Sequence, residues 1–128
     1  MHPDKIKNII KLNIQDRFEY TIREIVKHEG LWCIQKDDGI ATYTDSDGDE
    51  VFPIWPHKEA AELCPFEQFS GDEYYHGFVD MDELWEYILP DFDEKNILIG
   101  VFFVKDQDAM CVPSAVLAEE LLDEMDSD

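Results

Sequence analysis

The residues best suited to chemistry sit in one short block, Trp55-Pro56-His57 followed by Lys58, Glu59 and Cys64. An imidazole and a thiol can form a nucleophile–base pair or supply two ligands to a metal ion. His57 and Cys64 are seven apart, two helical turns on one face, which separates them by about 10 Å along the axis. That is a poor geometry for sharing a proton or an ion. The alternative reading places His57 in a first helical turn, packs Cys64 as a small apolar residue and puts Trp55 in the core. His57-Lys58-Glu59 also matches the His-x-Glu half of a zinc deaminase signature, but only Cys64-Pro65 follows where Pro-Cys-x-x-Cys is needed. Trp55, His57 and Cys64 stand as a candidate ligand pocket. No catalytic residue, no metal site and no cofactor is assigned.

Asp45, Asp47 and Asp49 imitate the opening of a calcium-binding loop. That loop requires Gly at its sixth place and a bidentate Glu at its twelfth, where this chain has Glu50 and Pro56. A hairpin turn is the better reading. Close carboxylate pairs, Asp80 with Asp82 or Asp91 with Asp93 and Glu94, could do acid–base work, but 31 acids make such pairs common by composition. Gly39, Gly48, Gly71 and Gly77 stand singly, so no phosphate-cradling loop or nucleophile elbow is present.

Charge is the most conspicuous property. Ten Lys and Arg against 31 Asp and Glu give −21 over 128 residues, which argues against nucleic acid or an anionic bilayer as a direct partner. Residues 1–36 are net +2 and residues 37–128 net −23. The final helix carries Glu119, Glu120, Asp123, Glu124, Asp126 and Asp128, anions that oppose its dipole by about 0.3–1 kcal/mol each. Lys5, Lys7 and Lys11 could neutralise them from within the chain, or a basic partner could do so. Glu119, Glu120, Asp123 and Glu124 are the candidate partner surface.

Cys33, Cys64 and Cys111 are odd in number and widely spaced, as expected of reduced thiols in the cytoplasm rather than a secreted disulfide framework. The N-terminal residues have no signal-peptide pattern. The longest apolar run, ILIGVFFV at 97–104, is too short to span a membrane.

These residues must be held by a core, and 45% apolar residues are enough to build one. Residues 4–12 read as a helical extension, 1–12, ahead of a single α+β domain, 13–128. Asn13 can cap a helix, with Asp16 approximating a capping box; Ile14, Phe18, Ile22, Ile25 and Val26 form its stripe and Gly30 ends it. LWCIQK (31–36), IATYT (40–44) and EVFPIW (50–55) read as an antiparallel meander, with Pro53 placing the third strand at an edge or near a bulge. Pro56 opens a helix over 57–64, and 65–77 reads as a loop followed by a short strand at Phe78 and Val79. Asp80 or Asp82 caps a helix with Leu84, Trp85, Ile88 and Leu89 inward, which Pro90 stops. NILIGVFFV (96–104) predicts a central strand and AMCV (109–112) its hairpin partner. Pro113 and Ser114 start the last helix, with Val116, Leu117, Leu121, Leu122 and Met125 on one side. The expected fold is a largely antiparallel mixed sheet of about four to five strands with about four helices on it.

At VFPIWPHKEAAELC (51–64) the chain resembles the bacterial domain-of-unknown-function 2750 family. In that family a helix of the RFEY type (17–20) precedes a strand like Leu31-Trp32, and a strand ending in Trp-Pro-His leads into a short helix with Ala and Cys. The acidic helix with Leu84-Trp85, the apolar strand and a final helix opened near Pro113 are similar too. The resemblance spans about residues 16–125. It implies an architecture and a bacterial setting, and it carries over no catalytic or binding residue.

Three functions compete. The first is an acidic binding or regulatory module for a basic protein, which would associate quickly and weaken with salt. The second is an enzyme or small-ligand binder with a pocket near Trp55, His57 and Cys64. The third is a homo-oligomeric structural subunit joined through the Phe66–Tyr75 aromatic loop. The first leads.

Overall fold

Asn13 begins the helix on which the candidate site is built. Its side-chain oxygen accepts the Asp16 N–H at 2.8 Å, and the chain then runs as α2 (Ile14–His28). A computed structural model describes residues 2–37 and 39–126 of the chain. The elements in order are α1 (Pro3–Ile9), α2, β1 (Gly30–Lys36), β2 (Gly39–Ile40), β3 (Tyr43–Thr44), β4 (Glu50–Trp55) and α3 (Lys58–Ala61). A 3₁₀ turn (Glu67–Phe69), β5 (Tyr75–Asp80), α4 (Met81–Glu83), a π turn (Leu84–Ile88), α5 (Leu89–Lys95), β6 (Leu98–Val101), β7 (Met110–Pro113) and α6 (Ser114–Asp126) follow. The result is a single α+β domain with a seven-stranded, mostly antiparallel sheet. Two of its strands are only two residues long, which accounts for the excess over the expected four or five.

β1 is the spine of the sheet. β5 pairs with it from Gly30↔Asp80 to Gln35↔Tyr75, while β2 and β4 share its other edge. β4 runs parallel to β6, and β6 pairs antiparallel with β7. α2 packs against α6, β1, β6 and β7; α5 packs against α6; α3 rests on β1, β4 and β5. Phe18, Ile22 and Ile25 of α2 are buried with Leu117 and Leu121 of α6, whereas Ile14, Val116 and Leu122 are exposed. The two expected apolar stripes are thus narrower than their sequences suggest. Ile9 of α1 is buried in the same core.

Several expectations are corrected. Glu29, not Gly30, ends α2 in the left-handed conformation at φ 57°. Gly30 serves close approach instead, because a Cβ there would collide with the Phe78 ring and the Val79 carbonyl. β5 replaces a predicted loop over 75–77. Only Gly77 and Val79 of its six residues are buried, too few apolar positions to announce a strand. IATYT splits into β2, which joins β1, and β3, which joins β4.

Pro53 lies in a strand with neighbours on both sides. Its missing N–H faces the gap between the β1 and β3 pairings, because the next carbonyl, that of Ile54, points toward β6 and accepts the Phe102 N–H at 2.9 Å. Pro90 does not stop its helix either. The preceding turn widens to a π turn, in which the Leu89 N–H bonds the Leu84 carbonyl, and the helix continues as α5 with Pro90 in its first turn.

The tight β1–β5 approach predicts that Gly30→Ala destabilises the fold by about 1–3 kcal/mol. Urea unfolding measures it, with Gly71→Ala, where the added carbon would meet only the flexible end of Glu73, as the milder comparison.

Candidate functional site

Glu24 is a carboxylate on the buried side of α2, with its side chain 9% exposed. Tyr20 and His28 flank it one turn before and after, so the three line one face of the helix. His57 meets them from the sheet. It follows Trp55 and Pro56 directly, is extended at φ −140°, ψ 151°, and caps α3 without a side-chain cap bond. Its ring therefore turns away from α3 and toward α2.

The contacts converge on one nitrogen. His57 Nε2 lies 2.6 Å from the Tyr20 hydroxyl and 3.2 Å from Glu24 Oε1. Tyr20 donates to the same Glu24 oxygen at 3.2 Å, and His28 Nε2 approaches it to 3.7 Å. An imidazole with its proton on Nε2, donated toward Tyr20 and Glu24, satisfies all three close contacts at once. Both His28 and Tyr20 meet the His57 ring edge-on, each with centroids 5.7 Å apart. Burial lowers the His57 pKa, with Lys5 and His28 adding to the effect and Glu24 and Glu59 opposing it. Burial first, and the Glu24 charge second, raise the Tyr20 pKa, so the phenol keeps its proton.

The atoms that could ligate an ion from Glu24, His28 and His57 all lie within 4.8 Å of one another. His57 and His28 also open onto a cleft of about 430 Å³, walled by Trp32, Phe78 and Lys58. A larger cleft of about 740 Å³ lies away from this chemistry, beside the π turn, lined by residues such as Glu50, Tyr87, Asp91 and Lys95. It has no imidazole or thiol, and its Lys95 is already paired with Asp91 at 3.0 Å. The smaller cleft is the better candidate because reactive groups converge there.

The residues singled out from sequence separate in space. His57 lines the cleft; Trp55 and Cys64 do not. Trp55 is fully buried and donates Nε1–H to the Phe103 carbonyl at 3.1 Å. α3 stops at Ala61, so no second turn carries Cys64 onto the His57 side, and burial keeps the Cys64 thiol protonated. Tyr20, Glu24 and His28 are the residues that sequence reasoning passed over. Their i, i+4, i+8 spacing was the available signal.

The aspartate run at 45–49 is the expected turn. Asp45 Oδ1 accepts the N–H groups of Asp47 and Asp49, at 3.0 and 2.9 Å. Asp80 caps α4 through the Glu83 N–H at 2.9 Å, which settles the choice over Asp82. Glu119, Glu120 and Asp123 are exposed on α6 and Glu124 is half-buried; Asp128 lies outside the described residues. The cation sharing a groove with Glu120, Asp123 and Glu124 is Arg23 of α2, while Lys5 acts on His57.

An α+β domain with a helix-borne Tyr/Glu/His cluster closed by the N-cap of a second helix is the class this geometry defines. Residues 18–121 match the family model DUF2750, described as a protein of unknown function, and the chain belongs to that family. No curated protein and no solved structure matches the chain.

The lowered His57 pKa has a consequence for stability. The unfolded chain takes up the proton at a higher pH than the fold does, so this contribution is complete above the ordinary histidine value of about 6.5 and is lost as pH falls through the window below it. In the presence of chelator, acidification through this window should lower stability, and His57→Gln should remove that part of the slope. Denaturant midpoints measured across the window check both.

Proposed function

We propose that this chain binds a divalent transition-metal ion through Glu24, His28 and His57. The observation that carries the reading is the convergence of their three ligand atoms, within 4.8 Å of one another, around a buried carboxylate. Two imidazoles and one carboxylate suit zinc, cobalt, nickel or ferrous iron rather than calcium or magnesium. Bonds of 2.0–2.1 Å in a tetrahedron put ligand atoms about 3.3 Å apart. The 3.2 and 3.7 Å approaches to Glu24 bracket that spacing, and half-exposed His28 is free to close the third side. The proton on His57 Nε2 would be exchanged for the ion, and Tyr20 would be left beside it.

Three protein ligands leave a fourth position, and the cleft is where that position would open. This is the arrangement of reactive rather than purely structural zinc sites. Cys33, Cys64 and Cys111 are all free thiols, which fits a reducing, cytoplasmic setting. Among the described residues no helix is long and apolar enough to cross a membrane.

Calorimetric titration of chelator-treated protein with zinc should show one site per chain. Glu24→Gln, which preserves shape and hydrogen bonding, and His57→Ala should each weaken it by about 100-fold or more, and Cys64→Ser should leave it unchanged. Equal affinity in wild type and Glu24→Gln would leave the cluster as a structural hydrogen-bond network only.

A second reading is favoured by α6, whose last turn carries no basic residue and whose Glu119, Glu120 and Asp123 are exposed. On that reading a basic protein covers this end, relieving the unfavourable charge–dipole arrangement. Its complex should weaken steeply with added salt. It should be lost when Glu119, Glu120, Asp123 and Glu124 become amides.

A further inference from the structure

We infer that the cleft beside His57 takes an aromatic carboxylate, with the ring on the Trp32–Phe78 wall and the carboxylate closing the open position of the metal. This deepens, and rests on, the metal-binding reading. The cleft of about 430 Å³ lies within the usual range for small-molecule sites and is lined by two of the three proposed ligands, His28 and His57.

Its other wall is aromatic. Trp32 and Phe78 are cross-strand partners on β1 and β5, their rings edge-to-face with centroids 5.5 Å apart. Phe78 remains 43% exposed although large apolar side chains on this domain are mostly covered. A flat ring laid there would bury that surface and gain the offset or edge-on contacts that aromatic groups prefer. Lys58, also on the cleft lining, supplies the charge, its Nζ 6.0 Å from the centre of the Trp32 ring.

Local charge selects an anion in spite of the net −21 of the chain. A divalent ion neutralised by Glu24 alone, with Lys58 adjacent, keeps the loaded pocket net positive even with Glu59 counted on its rim. The acidic surface beyond is screened over about 8 Å at physiological salt. Carboxylate oxygen is a ready fourth ligand for a zinc-type ion held by nitrogen and oxygen donors. A ring and a carboxylate on one small molecule would use both halves of the cleft.

The test uses the full chain, stripped with chelator and loaded with cobalt(II), whose visible bands report its coordination. Sodium benzoate and sodium acetate are then titrated in. Benzoate should perturb the cobalt bands at about tenfold lower concentration than acetate, the difference being the ring contact. Phe78→Ala should abolish that preference while leaving cobalt affinity unchanged, and Lys58→Ala should weaken both carboxylates alike. Cobalt bands that benzoate does not move, or that both salts move equally, overturn the inference and leave the metal site standing. Absence of cobalt binding before any carboxylate is added overturns both readings.

Discussion

A carboxylate placed under a helix must have its oxygens met, and Glu24 imposes that requirement on everything around it. Its partners come from both directions, Tyr20 and His28 from its own helix and His57 from the end of β4. His57 is two residues beyond Trp55, which is fully buried and pinned to the Phe103 carbonyl. The network therefore fastens α2 to the sheet through a link too short to stretch. The same short link aims the imidazole: an N-cap residue in extended conformation directs its ring outward from α3, and α2 is what lies there. The hydrogen-bonded network and the proposed metal site would be two occupancies of this one constraint, since a proton on Nε2 or a cation satisfies the same carboxylate.

α2 carries more buried polarity than its apolar stripe suggests. Arg17, Thr21 and Glu24 are all buried, one turn apart on the helix. The Arg17 guanidinium donates to the Leu12 carbonyl at 2.9 Å, to Gln107 Oε1 at 2.6 Å and to the Asp108 carbonyl. It thus ties the α1–α2 connection to the β6–β7 hairpin, and Thr21 donates back to the Arg17 carbonyl at 2.8 Å. One end of α2 is anchored by a cation among carbonyls, the other by a carboxylate among imidazoles. Such groups are costly to leave unpaired, so they specify how the helix sits as well as where.

The charge of the surface bears on the site. Twenty-six of the 31 acids follow residue 36, and they favour the accumulation of cations near the protein, divalent ions most of all. The cleft sets His28, His57 and Lys58 beside Glu59 in the midst of that field. A site that first takes a cation and then an anion suits such a layout, because the bound ion reverses the local sign of the potential.

Elements with a strong local period were legible in the residues alone. Asn13 and the Phe18, Ile22, Ile25 spacing specify α2, Asp37 and Gly39 mark the β1–β2 turn, and the apolar run at 97–104 announces β6, because caps, turns and apolar periods act over a few residues. Where the answer depended on a neighbour, the residues were silent or misleading. β5 buries only alternate small groups against β1, Pro53 is tolerated because a pairing gap faces it, and Pro90 is absorbed by a π turn. His57 stood out as a chemical group, but Trp55 and Cys64, its neighbours in sequence, are not its neighbours on the cleft wall. Glu24 and His28 lie 33 and 29 residues before it and meet it only because the fold sets α2 beside the residue that caps α3. A site assembled from separate elements is set by long-range packing, and a short-range pattern holds no record of that.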